Sequence, residues 1–314
     1  MKSGRPVLLF ACFGVDPTPW QQGIQSQVPE LEIRLWPDAG DLSEIDYVLS
    51  WRCPHGFFPQ FPALRAIFSM GAGIDRFLED SALPPDIPLV RMVDPSLVDG
   101  MVEFVVMEVL CHHRRMPEYR RQQQRSDWLP LIPPLAQDRP VGIMGLGQLG
   151  GSCARALQAL KFPVNGWARS SKDIPGIRCF SGTAAFDDFL KSSDIVVCLL
   201  PLTDDTRDIL NARAFRMMRP GSSVINVARG GHLVEDDLIA AIDSGHLAGA
   251  TLDVFKEEPL PAANPIWKHE KITVVPHASA LTQPKTAALV VADNIRRHLS
   301  GQLMLNVVDK STGY

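Results

Sequence analysis

Three ionisable residues stand at comparable places in the last third of the chain: Arg229 in "INVARGG", Glu258 in "LDVFKEEPLP" and His277 in "VVPHASA". Each segment follows an apolar run of strand length, and open α/β sheets present ligand-binding groups at the carboxyl ends of their strands. Taken singly, each has an ordinary explanation: a solvated arginine, a glutamate that ends a segment before Pro259, a structural histidine. Taken together they suit one chemistry. Reducing a 2-oxo acid takes a hydride donor, a proton donor for the carbonyl oxygen, and a cation that holds the carboxylate and polarises the carbonyl. Histidine exchanges protons near neutral pH, and an adjacent glutamate holds its tautomer and favours its protonated form. Arginine stays charged and offers a planar fork of donors. On this reading His277 is the acid/base, Glu258 its partner and Arg229 the anchor.

The hydride donor has its own signal. In "VGIMGLGQLGGSCARAL" the residues Gly145, Gly147 and Gly150 have G-x-G-x-x-G spacing, directly after a strand pattern and opening a helix pattern. In a dinucleotide site the first glycine makes the tight turn, the second lets backbone approach a pyrophosphate, and the third packs helix against strand. The free N–H groups of the helix then face the phosphates. NAD enzymes usually carry an acid about 20 residues further on, for the ribose 2′-hydroxyl. Here Arg169 stands 19 residues after Gly150 (169 minus 150), followed by Ser170, with Lys172 close behind and no carboxylate before Asp173. A guanidinium with hydroxyls suits a 2′-phosphate, which points to NADP(H), with NAD(H) as the alternative. An ordinary solvated turn is the other reading of "ARSSK".

These residues need a frame, and the chain supplies strand patterns for two sheets. The first hundred residues hold "PVLLFA" (6–11), "LEIRLW" (31–36), "YVLS" (47–50), "AIFS" (66–69) and "PLVRM" (88–92), separated by helix-length intervals. From 141 onward come "VGIM", "VNGWA" (164–168), "IVVCLL" (195–200), "SVINVA" (223–228), "GATLDV" (249–254) and "ITVVP" (272–276), with helical patterns between them. Strands alternating with helices predict parallel sheets, so the fold class is α/β with two doubly wound domains. The stretch "GMVEFVVMEVLCHH" (100–113) is apolar on nearly every face and reads as a buried helix crossing between domains. "WLPLIPPLAQDRP" (128–140) reads as an extended loop, since its prolines exclude helix.

Composition narrows the class. A hydrophobic content of 46% with 21% charge is that of a globular chain, and the net charge of -4 carries no footprint for nucleic acid. Six cysteines lack C-x-x-C spacing, so neither a disulfide framework nor a metal site is expected. The opening "MKSGRPVLLFACFG" has an apolar run of strand length with no cleavage signal, and no stretch of 18 apolar residues occurs. The expectation is a cytoplasmic protein with a small-molecule partner and no membrane contact.

The segments "GIMGLGQLGG", "LPLTDDTRDILN", "INVARGGHLVEDDLIAAIDSGHLAGATLDVFKEEPLP" and "PHASALT", with "SMGAGID" (69–75) and "MVEFVV" (101–106), make the chain similar to the D-isomer-specific 2-hydroxyacid dehydrogenase family. "LSWRCP" and "HRRMPEYRRQQQRSDW" most resemble its glyoxylate/hydroxypyruvate reductase A branch, although Gly231 and the acidic "VEDD" depart from the commonest family residues. The resemblance implies NADPH-dependent reduction of glyoxylate, hydroxypyruvate or a similar 2-oxo acid, with Arg229, Glu258 and His277 at the catalytic positions. The cofactor set becomes Gly145, Gly147, Gln148, Leu149, Gly150, Arg169, Ser170, Leu200, Pro201, Thr206, Ala228, His277 and Asp253, the last near the nicotinamide carboxamide. Met70, Gly71, Ala72 and Gly73 form a loop whose backbone amides take the substrate carboxylate beside Arg229, with Trp51 next to the substrate or, equally, in the core. The resemblance also implies a flavodoxin-like substrate-binding domain of residues 1–100 plus 287–314, with a Rossmann cofactor domain, 101–286, inserted into it and the active site in the cleft. A homodimer is implied, with the 128–140 loop taking part, and no regulatory carboxyl-terminal domain. Two alternatives stay open: an NAD-linked dehydrogenase of another small acid such as phosphoglycerate or formate, and a non-catalytic nucleotide-sensing co-regulator, which would need none of the three catalytic residues.

Overall fold

The computed structural model describes residues 5–310, so the outermost ends of the expected first domain, 1–4 and 311–314, lie outside the described residues. The chain forms two compact units, Met1–Leu97 with Leu281–Tyr314, and Val98–Ala280. The first division falls inside a helix, and the second in the loop that precedes the last helix.

The first unit holds β1 (Val7–Cys12), α1 (Thr18–Gln27), β2 (Glu32–Leu35), β3 (Tyr47–Trp51), β4 (Ala66–Ser69), α2 (Asp75–Leu78) and β5 (Leu89–Val90). Its five strands are all parallel in the order β2-β1-β3-β4-β5, the flavodoxin-like winding. β1 is buried along its whole length, as expected of a strand covered on both faces. The C-terminal helix Pro284–Leu299 packs on α1 through small residues: a Cβ on Gly23 would lie 2.6 Å from the Ala288 Cβ. Its Ala287, Ala288, Val291 and Ile295 share a core with Trp20, Ile24, Tyr47 and Phe68, so the end of the chain completes the unit that its beginning starts.

The second unit takes all but the first three residues of α3 (Pro95–His113), which starts five residues before the apolar stretch at Gly100, and continues with α4 (Met116–Arg125). Then come β6 (Val141–Met144), α5 (Gln148–Ala159), β7 (Val164–Ala168), β8 (Arg178–Ser181), α6 (Phe186–Lys191), β9 (Ile195–Cys198), α7 (Ala212–Met217), β10 (Ser222–Asn226), α8 (Glu235–Asp243), β11 (Leu247–Leu252) and β12 (Ile272–Val274). The sheet order is β12-β11-β10-β9-β6-β7-β8, again all parallel, a Rossmann winding with an added outer strand. The switch point lies between β6 and β9, where such sheets open a crevice for ligands.

Two sequence expectations change here. The sheet has seven strands where six were expected, because the edge strand β8, "RCFS", is mostly exposed and carries no apolar run to announce it. The 128–140 loop contains a short 3-10 turn, Ala136–Asp138, in the part that has no proline. The six cysteines are all free thiols. Burial raises those of Cys153 and Cys198 to about 12, so they act as small core side chains.

Candidate active site

The strand ends of the second unit place the charged residues. β11 runs out at Leu252 into Asp253, whose side chain is wholly buried. One Asp253 carboxylate oxygen accepts from the Ala278 N–H at 2.7 Å and the Ser279 N–H at 3.0 Å, and the other accepts from the Ser279 hydroxyl at 2.5 Å. The Asp253 carbonyl takes the His277 N–H at 2.8 Å. His277 is thereby held at φ 52°, a left-handed conformation that costs a non-glycine residue about 1 to 3 kcal/mol unless its surroundings enforce it. Asp253 was expected beside the cofactor; the work its carboxylate does here is to enforce that turn.

The turn presents the His277 imidazole to Glu258. Its Nδ1 lies 2.8 Å from Glu258 Oε2, and Glu258 Oε1 accepts from the Phe255 N–H at 3.0 Å. Burial alone would raise the Glu258 carboxyl, but the hydrogen bonds from His277 and Phe255 N–H, with the His277 and Arg229 charges, hold it below its ordinary value. Glu258 is therefore ionised, and the pair fixes the His277 tautomer with the proton on Nδ1. About a third of the His277 side chain is exposed, enough to exchange protons.

Arg229 follows β10, and its backbone is pinned from two sides. Asn226, fully buried, donates its amide to the Arg229 carbonyl at 3.0 Å and accepts from the Ala228 N–H at 3.2 Å. His232, also fully buried, has Nδ1 3.2 Å from the Arg229 N–H and Nε2 3.1 Å from the Pro201 carbonyl. Those partners make Nε2 the donor and Nδ1 the acceptor. The Arg229 guanidinium donates to the Ala228 carbonyl at 2.6 Å. Asn226 and His232 escape a reading of the sequence because their work is on backbone groups; the signal available was two polar residues three positions on either side of the arginine.

The glycine turn after β6 is built as its spacing suggests. Gly145 sits at φ +97°, and a Cβ there would lie 2.7 Å from the Leu199 carbonyl oxygen, while one on Gly150 would fall 1.8 Å from the Gly145 oxygen. Only glycine fits either place. A Cβ on Gly147 would meet nothing within 4 Å, and no side chain caps the α5 amino terminus that Gly147 precedes. Uncapped N–H groups beside open space fit a dinucleotide pyrophosphate. Gln148 is exposed and Leu149 half-buried on this first turn. Leu200 and Ala228 are buried at neighbouring strand ends. The Thr206 hydroxyl donates to the Pro201 carbonyl at 2.7 Å and accepts from the Thr203 N–H at 2.8 Å, which shapes the turn after β9. Arg169 and Ser170 stand exposed immediately beyond β7, the strand next to β6.

In the first unit, the loop after β4 carries Met70, Gly71, Ala72 and Gly73. The Met70 N–H is taken by the Ser50 carbonyl at 3.1 Å and the Gly71 N–H by the Ser69 hydroxyl at 3.2 Å. Of the four, Ala72 and Gly73 keep N–H groups without an acceptor among the described residues, so the loop offers an anion two amides rather than four. Trp51 is half-buried at the edge of the core, with its ring against the loop: a Cβ on Gly71 would lie 2.8 Å from Trp51 Cζ3. Among the described residues no group of His, Cys, Asp and Glu is arranged to hold a metal ion.

Residues 106–279 match the family described as D-isomer specific 2-hydroxyacid dehydrogenase, NAD binding domain. Glyoxylate/hydroxypyruvate reductase A of Serratia proteamaculans is 41% identical over 300 residues, covering 94% of this chain and 96% of that protein. A D-isomer specific 2-hydroxyacid dehydrogenase from Xanthobacter autotrophicus Py2, solved with NADPH and MES, superposes with a TM-score of 0.95 at 40% identity, covering 99% of this chain and all of that one. An NADPH-dependent glyoxylate/hydroxypyruvate reductase from Sinorhizobium meliloti, solved with NADP and sulfate, superposes with a TM-score of 0.92 at 37% identity, covering 98% of this chain and all of that one.

Proposed function

The chain belongs to the D-isomer specific 2-hydroxyacid dehydrogenase family, and from that premise we propose that it reduces glyoxylate, hydroxypyruvate or a similar short 2-oxo acid to the D-2-hydroxy acid, with NADP(H) preferred. The observation that carries the reading is the 2.8 Å contact between His277 and an ionised Glu258, with Arg229 close enough to influence the same carboxylate.

Bound at the Gly145–Gly150 turn, the nicotinamide cofactor supplies the hydride. The protein's own residues do the rest. His277 gives its Nε2 proton to the carbonyl oxygen, and Glu258 stabilises the imidazolium before that transfer. Arg229, pinned by Asn226 and His232, binds carboxylate and draws electron density from the carbonyl. The two open amides of Ala72 and Gly73 supply a further carboxylate site on the first unit. Arg169 and Ser170 take the 2′-phosphate that distinguishes NADPH from NADH.

A homodimer is part of the proposal. In the 128–140 segment Trp128 is 98% and Ile132 91% exposed, while the Tyr119 hydroxyl ties the segment to α4 by accepting from the Leu131 N–H at 2.9 Å. A tethered arm with bare aromatic and aliphatic side chains suits burial against a second copy of this chain.

A panel of 2-oxo acids assayed with each cofactor tests the function. The expected result is glyoxylate and hydroxypyruvate reduction with kcat/KM at least about 10-fold higher for NADPH, and a shift toward NADH in Arg169→Asp. Reduction with NADH alone would favour the NAD-linked alternative. Cofactor binding without turnover of any 2-oxo acid would favour the sensor.

A further inference from the structure

Directly after β3, Arg52 adopts φ 60°, a left-handed conformation uncommon for a long side chain, and this lays its guanidinium 5.9 Å from the centre of the Trp51 ring. The turn opens a shallow, solvent-open hollow whose lining includes Arg52, His55 and Arg76, with Ser50, Phe58 and Asp80. Arg76 comes from α2, the helix that follows the Met70–Gly73 loop. The Asp80 carboxylate is already committed: one oxygen accepts the Gly56 N–H and the other the Ala82 N–H, each at 2.9 Å. Neither guanidinium has a carboxylate partner among the described residues, whereas Arg34, Arg213, Arg219 and Arg297 all do. Two guanidinium groups without a carboxylate contact, beside a histidine, outnumber the one acid of the hollow, Asp80, whose oxygens are engaged by backbone N–H groups, and this excess of positive charge suits an anion.

Its place says which anion. Trp51, between Ser50 and Arg52, rests on Gly71 of the loop whose Ala72 and Gly73 amides remain open to a carboxylate. The first unit thus offers one site for a carboxylate and, past the Trp51 ring, a second cationic site. Resting on the proposed 2-oxo acid chemistry, we infer that the Arg52–His55–Arg76 hollow binds a second anionic group of the substrate, so that the enzyme acts on dianionic 2-oxo acids, four- or five-carbon 2-oxo dicarboxylates, as well as on short monoanions. Arg52 and Arg76 are specificity residues for the far end of the substrate and touch no reacting atom.

The test compares kcat/KM for 2-oxosuccinate and 2-oxoglutarate with that for glyoxylate in the wild-type enzyme, Arg76→Gln, and Arg52→Asn. Asparagine tolerates the left-handed conformation, so the turn is kept while the charge is lost. Each variant is expected to lower the dicarboxylate-to-glyoxylate ratio about 10-fold or more, through loss of a charge-assisted hydrogen bond, and Arg76→Lys to restore part of it. The wild-type ratio is expected to fall with added salt. A ratio that stays the same in both variants while glyoxylate is still reduced overturns this hollow as a substrate site and leaves the 2-oxo acid reading standing. A protein that reduces none of the three acids overturns that reading together with the inference.

Discussion

His277 and His112 both approach a glutamate within the second unit, one directly and one through a hydroxyl. His277 meets Glu258 at 2.8 Å on a turn beyond β11 with about a third of its side chain exposed. His112, near the end of α3, is buried, and its Nε2 lies 3.1 Å from the Thr251 hydroxyl of β11, which in turn donates to buried Glu108 at 2.7 Å. Burial, with the Arg139 charge acting in the same direction, pushes His112 down to about 4, so it stays neutral and donates from Nε2. The contrast separates two uses of one pair of side chains. A carboxylate in direct contact with a partly exposed imidazole holds it in one tautomer within reach of a reactant, whereas a hydroxyl between buried partners satisfies hydrogen bonds and fastens strand to helix.

Replacing the carboxylates and imidazoles sharpens the contrast. Glu258→Gln keeps the hydrogen-bonding shape and removes the charge. It is expected to lower kcat for reduction by about 10-fold or more; an unchanged kcat would mean that Glu258 is only a prop. The effect at His112 is on stability. Its folded value of about 4 lies below the ordinary 6.5, so the unfolded chain binds the extra proton between those values. Stability is therefore complete above pH 6.5 and is lost as pH falls toward 4, by roughly 3 kcal/mol in all. Urea midpoints across that range are expected to be flatter in His112→Gln, with reduction at pH 7.5 retained. Equal slopes in the two proteins would show that His112 is not the group responsible.

Some of this was plain in the order of residues and some was not. The strands "VGIM" and "VNGWA" and the turn between them were legible because a buried parallel strand needs an unbroken apolar run, and a phosphate-binding turn needs glycine at fixed places. β8 was not, because an edge strand exposed to solvent can be as polar as a loop. Arg229, Glu258 and His277 could be proposed from the sequence, since their charges and spacing suit a known chemistry. Asn226 and His232 could not, because a side chain that serves backbone carbonyls and amides has no partner that spacing reveals. The same holds for the second task of Asp253, which depends on the path of residues 277–279, and for Arg52, whose left-handed backbone no neighbouring residue announces.

The central claim is that the His277 imidazole delivers the proton at a carbonyl while the rest of the second unit holds the cofactor independently of it. The direct measurement is kcat for glyoxylate reduction by His277→Ala beside its dissociation constant for NADPH, followed by the nucleotide's fluorescence. The account expects kcat to fall by about 100-fold or more with NADPH affinity changed by no more than about threefold. A variant that turns over within a few-fold of the parent, or one that loses NADPH and turnover in equal measure, would contradict it.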